Sequence, residues 1–381
     1  ESNTKRLLLG KALVAQGAAA AAQIELRKAL DGKVPEAEVL PDMVRALLLA
    51  GEAARVVGEY GNTQLPDAQA QAELKTLVAT ALLSTARPDE ARSTLDEALK
   101  AKPDHAGALV LKARITAAAG QFDDALKQLG AVLATTPGHE GAGLLKAQVL
   151  LHGKRDADGA LAAYRDVVKA QPRSAAARTE LAQLLLERQL VAEARAELAE
   201  LQKFAARRPE TLLLQAQLAL AEKNHDQVRE LTDKLLALSP NHVPTLMLAA
   251  SSAFQAGQFA QAQALLARVL KADPQHGVAR LALAQVQLRS AQPDQAIETL
   301  KPLSEQAQAD ATVLNTLGEA YLRVGDVKRS EATYQRALKA APQDARGQTG
   351  LALAQLARGE AGAAMAGLEA TAQRDASAVA D

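Results

Sequence analysis

The chain has 381 residues, with 44 basic and 44 acidic side chains and so a formal net charge of zero. That balance supplies no basic surface for a nucleic-acid backbone and no long-range pull toward anionic lipid. There is no cysteine, which excludes zinc fingers, thiol catalysis and disulfide frameworks. Aromatics make up only 2% of the residues, and a chain this rich in Ala and Leu favours helices over strands.

The sequence starts at Glu1, without Met and without a signal h-region, and reads as a fragment or mature segment with any targeting peptide out of view. No apolar run approaches the length of a membrane span. Residues 243–276 read as helix, turn, helix, turn: Gly257 breaks the first pattern, Phe259 opens the second and Pro274 closes it. The same punctuation recurs about 34 residues away in both directions, a period that signals stacked helical repeats.

Eleven units cover residues 3–378 as a single array, starting near Asn3, Ala37, Ala72, Ala106, Glu140, Ala175, Pro209, Val243, Gly277, Ala311 and Ala345. The eighth position of a unit is small (Gly10, Ala79, Ala113, Ala147, Ala182, Ala216, Ala250, Ala284, Gly318, Ala352), with Val44 the exception. The twentieth is small in most units, as at Ala22, Ala91, Ala125, Ala262 and Ala296, while Val56, Val228 and Ser330 depart. Small residues at both places let facing helices approach closely. Units end at Pro103, Pro137, Pro172, Pro240, Pro274 and Pro342, where proline stops the second helix. Gly17, Gly51, Gly120, Gly257, Gly325 and Gly359 supply the break inside a unit. One extra residue is needed near 153–159 and one near 61–66, both expected in loops. Residues 61–71, in the least regular unit, are the expected irregularity or hinge.

The stretch TLGEAYLRVGDVKRSEATYQRALKAAP, residues 316–342, closely resembles the tetratricopeptide repeat (TPR) consensus. The resemblance implies an all-α, right-handed superhelical solenoid. Two further stretches, residues 72–109 and 254–303, resemble the long TPR lipoproteins of bacterial PEP-CTERM protein-sorting and exopolysaccharide systems. That narrower likeness implies a periplasmic protein held at the outer membrane by a lipidated cysteine upstream of the sequence. A cytoplasmic scaffold is the alternative.

His105, His139, His242 and His276 share one repeat position, just after the proline. Equivalent atoms in adjacent units lie a helix-packing distance of ~8–10 Å apart, too far to share a metal with bonds of ~2 Å. They read as helix-entry residues, and no metal or cofactor is expected. No nucleophile–base set or phosphate loop appears, so the chain reads as non-enzymatic. An accessory arm of a larger enzyme is the rival reading, and the near absence of aromatics leaves direct polysaccharide guidance little support.

In the family resembled here, positions two, five, nine and twelve of the first helix face the concave side. The fifth gives Leu213, Met247 and Leu281, the ninth Gln217, Ser251 and Gln285, and the twelfth Leu220, Phe254 and Leu288. These nine residues form the expected partner-binding surface for a protein or peptide segment, with Phe254 as its anchor. Lys11, Arg45 and Arg114 at the ninth position lack the matching Asn of a carboxylate clamp, which argues against a cochaperone. The reading is a protein–protein interaction scaffold in an envelope export or exopolysaccharide system.

Overall fold

The computed structural model describes residues 3–306 and 308–378, and among them every regular element is helical. Contacts divide the chain into two compact units, one ending at Gln189 and the other beginning at Leu190. The first holds α1 (Asn3–Ala15), α2 (Ala19–Asp31), α3 (Glu36–Leu49), α4 (Ala53–Tyr60), α5 (Ala68–Ser84), α6 (Pro88–Ala101), α7 (Ala106–Ala118), α8 (Phe122–Thr135), α9 (Glu140–Gln148), α10 (Ala157–Ala170) and α11 (Ala175–Glu187). The second holds α12 (Val191–Ala205), α13 (Pro209–Ala221), α14 (His225–Leu238), α15 (Val243–Gln255), α16 (Phe259–Ala272), α17 (Gly277–Arg289), α18 (Pro293–Ser304), α19 (Ala311–Arg323), α20 (Val327–Ala340), α21 (Ala345–Ala357) and α22 (Ala361–Ala378). Odd-numbered helices are the first, or A, helices of the repeats; even-numbered ones are the B helices.

Each A–B turn carries one left-handed residue. Six are the expected glycines; the other five are Ala86, Arg155, Gln189, Lys223 and Ala291, at φ between 55° and 62°. The next residue returns a bond to the helix it has just left, as Gln258 N–H does to Ala253 O at 2.8 Å. This closes the free carbonyls of the helix end. The turn is therefore specified by backbone geometry, and glycine is its cheapest occupant.

The two small-residue columns meet face to face. Ser330 Oγ, at the twentieth position, donates to Gly318 O, at the eighth, at 2.8 Å. A Cβ on Gly10 would lie 2.6 Å from Leu26 Cγ of α2. Nine residues beyond the left-handed residue runs a column of large side chains, including Leu26, Leu95, Leu129, Tyr164, Leu198, Leu266, Leu300 and Tyr334, all at most 4% exposed. Each such burial contributes ~1.5–3 kcal/mol. Within the two compact units the column joins cores shared by A and B helices, Leu26 and Leu95 in one and Leu129, Leu266 and Leu300 in others. Neighbouring A helices also touch, α1 with α3, α3 with α5, α5 with α7 and α7 with α9 in the first unit, and α13 with α15, α17 with α19 and α19 with α21 in the second.

Nine A helices begin where the periodicity places them. α3 begins one residue early, and α5 begins four early because Asp67 caps it, accepting from Ala70 N at 2.7 Å. The residues before α5 are pinned from inside. Gln71 Oε1 accepts from Leu65 N at 2.7 Å, and the buried Lys75 donates to Gly61 O at 3.0 Å while pairing with Glu97 at 2.9 Å. The extra residue expected in a loop near 153–159 is not in a loop. It widens the end of α9 into a π-turn over Val149–Gly153, with Lys154 N–H bonded to Val149 O at 3.0 Å. Swelling the last turn keeps Arg155 in the left-handed position that the turn geometry requires.

Candidate partner-binding surface

The nine residues lie on α13, α15 and α17. Eight of them, Leu213, Gln217, Leu220, Met247, Ser251, Phe254, Leu281 and Gln285, are half-buried. Leu288 corrects the expectation: it is 3% exposed, in a core with Ala284, Ala296, Leu300, Val313 and Leu317. Arg323 of α19 crosses the seam to donate to Leu288 O at 2.7 Å, so the end of α17 is drawn against the next repeat.

Phe254 does not stand free. Its ring lies 5.8 Å from that of Phe259 across the A–B turn, tilted by 54°, a favourable aromatic geometry. It packs with Met247 on the core formed by Leu246, Ala250, Ala253 and Ala262, whereas Leu281 packs on the following core with Leu288. The apolar residues thus divide between two seams. Val278, at the second position of α17, is 66% exposed. The sequence reading passed over it, although the second-position column would have found it.

All four histidines stand at N-caps, and three of them cap through the side chain. His105, His139 and His276 each accept a backbone N–H at Nδ1, from Ala108, Ala142 and Ala279, all at 3.1 Å. His242 instead meets Thr245 Oγ1 at 2.8 Å. An Nδ1 lone pair requires the proton on Nε2, and the Nε2–H of His105 donates to Glu73 Oε2 at 3.1 Å. The position is a capping site that Ser174 and Asp344 fill in other repeats. Among the described residues no group of three His, Asp or Glu is placed to hold a metal.

In the first unit two of the three ninth-position cations are internally neutralised. Lys11 reaches Asp42 at 3.7 Å, and Arg45 pairs with both Asp42 and Glu73. The hydrogen bond from His105, followed by Arg45, holds the Glu73 carboxyl below the usual carboxylate range. Glu73, like Val278, stands in the second-position column and could have been found there, whereas Asp42, at the sixth position, lies in none of the four concave columns; both matter through the cations that reach them.

Repeated helix pairs with a left-handed residue at every internal turn define a helical-repeat protein. One model of the tetratricopeptide repeat matches residues 82–149 and 253–320, and a second matches 151–210 and 315–379. The chain belongs to the tetratricopeptide repeat family, whose members generally act as non-catalytic scaffolds for protein–protein interaction. Similar solved structures include the APC/C hetero-tetramer Cut9–Hcn1, at 16% identity over 97% of this chain and 87% of that one with a TM-score of 0.52. The human IFIT1 dimer with PPP-AAAA matches at 14% identity over 88% and 90%, with a TM-score of 0.51. A tetratricopeptide repeat protein from Parabacteroides merdae matches at 12% identity over 75% and 99%, with a TM-score of 0.43. No curated protein sequence matches the chain. At these identities the likeness is one of fold.

Proposed function

We propose that this chain is a scaffold that holds an extended or helical partner segment across α13, α15 and α17. The observation that carries the reading is the row of half-buried Leu213, Met247 and Leu281 at one register, beside the exposed Val278 and bordered by Gln217, Ser251 and Gln285. An apolar centre with neutral donors and acceptors at its edge suits a segment recognised through its apolar side chains and main chain, and Met247 adapts to varied shapes. Phe254, held by Phe259, acts as a fixed wall of the surface. The setting we propose is bacterial envelope export or exopolysaccharide assembly, on the periplasmic side and anchored through an upstream lipidated cysteine. Its support is the resemblance of residues 72–109 and 254–303 to lipoproteins of such systems.

Photo-crosslinking residues placed at 247 and 278 in source cells should capture one protein. A crosslinker at Lys234, on B helix α14, should not. Equal capture at 234, or none at 247 and 278, overturns the surface. Cell fractionation checks the setting, and recovery in the cytosol overturns it.

A further inference from the structure

Aligning the repeats on their left-handed residue exposes one seam that differs from the rest. Two residues after that point, the other repeats carry Ala, Pro, Val or Phe, as at Pro88, Phe122, Val191 and Phe259; the seventh carries His225. Nine residues after it the column is Leu or Tyr, except for Thr232. Five residues before it the column is Ala, Ile, Leu or Val, except for Ser252 in the eighth repeat. The three exceptions fall at a single seam, where α14 and α16 flank α15. His225 Nδ1 and Ser252 Oγ share a hydrogen bond at 3.0 Å. Ser252 and Thr232 are 4% and 1% exposed.

A smaller side chain in the column of large residues leaves room, and here the room is a cleft of about 220 Å³ lined by all three residues. Polar groups at two buried positions, with a half-buried histidine beside them, lower the cohesion of the stack unless they serve a purpose, since apolar neighbours of the same shape would pack better. The walls of the cleft are charged and balanced. Asp226 and Arg229 of α14 pair with each other. Asp233 of α14 makes no ion pair among the described residues, and Arg268 of α16 donates only to Pro240 O, at 2.6 Å. Asp233 of α14 and Arg268 of α16 thus line the cleft as solvent-exposed charges of opposite sign, beside the buried hydroxyls of Thr232 and Ser252 and the half-buried imidazole of His225.

We propose that this cleft binds a small zwitterion, an α-amino acid in class, with its ammonium toward Asp233, its carboxylate toward Arg268 and its remaining polar atoms on Ser252 and His225. The volume is below the ~300–1,000 Å³ of drug-sized sites, which limits the ligand to a single small residue. A net-neutral cleft with opposite charges on opposite walls favours a dipolar ligand over an anion or a cation. The cleft lies on the B-helix side of the repeats and does not depend on the partner surface on α13, α15 and α17.

The full chain is screened by thermal shift against the twenty amino acids, with acetate, methylammonium and glucose as controls, and hits are titrated by calorimetry. At least one small amino acid should raise the melting temperature and bind with one-to-one stoichiometry, while the three controls do neither. Thr232→Leu restores the residue typical of the column, so it should fold at least as well and lose the binding. Ser252→Ala should weaken binding about tenfold, the worth of one buried hydrogen bond. The proposal is overturned if no amino acid binds, if acetate, methylammonium or glucose binds as well, or if Thr232→Leu binds like wild type.

Discussion

Gly350 tests how tightly one repeat fits against the next. A Cβ at 350 would fall 2.2 Å from Cε1 and 2.3 Å from Cζ of Tyr334, and one at Gly318 would fall 2.9 Å from the same ring on its own repeat. Tyr334 is 4% exposed, and burial, followed by nearby Glu319, pushes its hydroxyl pKa up to about 12. The ring is therefore a buried neutral wedge between two glycines. In an unconstrained helix interior, Gly→Ala stabilises by ~0.5–1 kcal/mol. At 350 the new methyl must displace a buried ring, which costs ~1–3 kcal/mol. The expected balance for Gly350→Ala is a loss of about 1 kcal/mol. Tyr334→Leu installs the commoner residue of that column but leaves a void beside two glycines, so it also destabilises. Combined, the added methyl occupies space the ring has vacated, and the double variant should be more stable than additivity predicts by about 1 kcal/mol. Long repeat arrays need not unfold in one step. The measurement is therefore native-state hydrogen exchange read at α20 and α21, with urea unfolding by circular dichroism alongside. Stabilisation by Gly350→Ala alone, or strict additivity of the pair, would refute the packing argument.

Three other perturbations have expected outcomes. Ala291→Gly and Lys223→Gly should each stabilise by up to ~1 kcal/mol, since a left-handed non-glycine residue costs ~1–2 kcal/mol against a smaller entropic penalty for glycine, while Gly257→Ala should destabilise; melting temperatures decide the signs. Glu73 has a carboxyl pKa below its ordinary value of 4.5, so its contribution is complete above that pH and fades as pH falls through the lowered pKa; exchange protection at α5 and α7 should fall there in wild type and show less of this loss in Glu73→Gln. Lys75→Met leaves Gly61 O and Glu97 without their partner and should cost ~1–3 kcal/mol, with limited proteolysis appearing first at residues 61–67.

The sequence alone established the repeat, the helix pairs, nine of the eleven A-helix starts, the two small-residue columns and the role of the histidines as helix-entry residues. These follow from short-range causes: left-handed turns, proline stops, caps, and an environment that each repeat meets again at its neighbour. What depends on side chains crossing a seam became visible only in three dimensions. The π-turn after α9, the burial of Leu288 under the reach of Arg323, and the pairing of Phe254 with Phe259 are set by contacts between helices, which periodicity does not encode. The polar seam lies between these cases. His225, Thr232 and Ser252 each break a column that the sequence displays, but only the packing of α14 and α16 around α15 brings the three departures to one cleft, because residues 27 apart in the chain become neighbours only where two repeats stack.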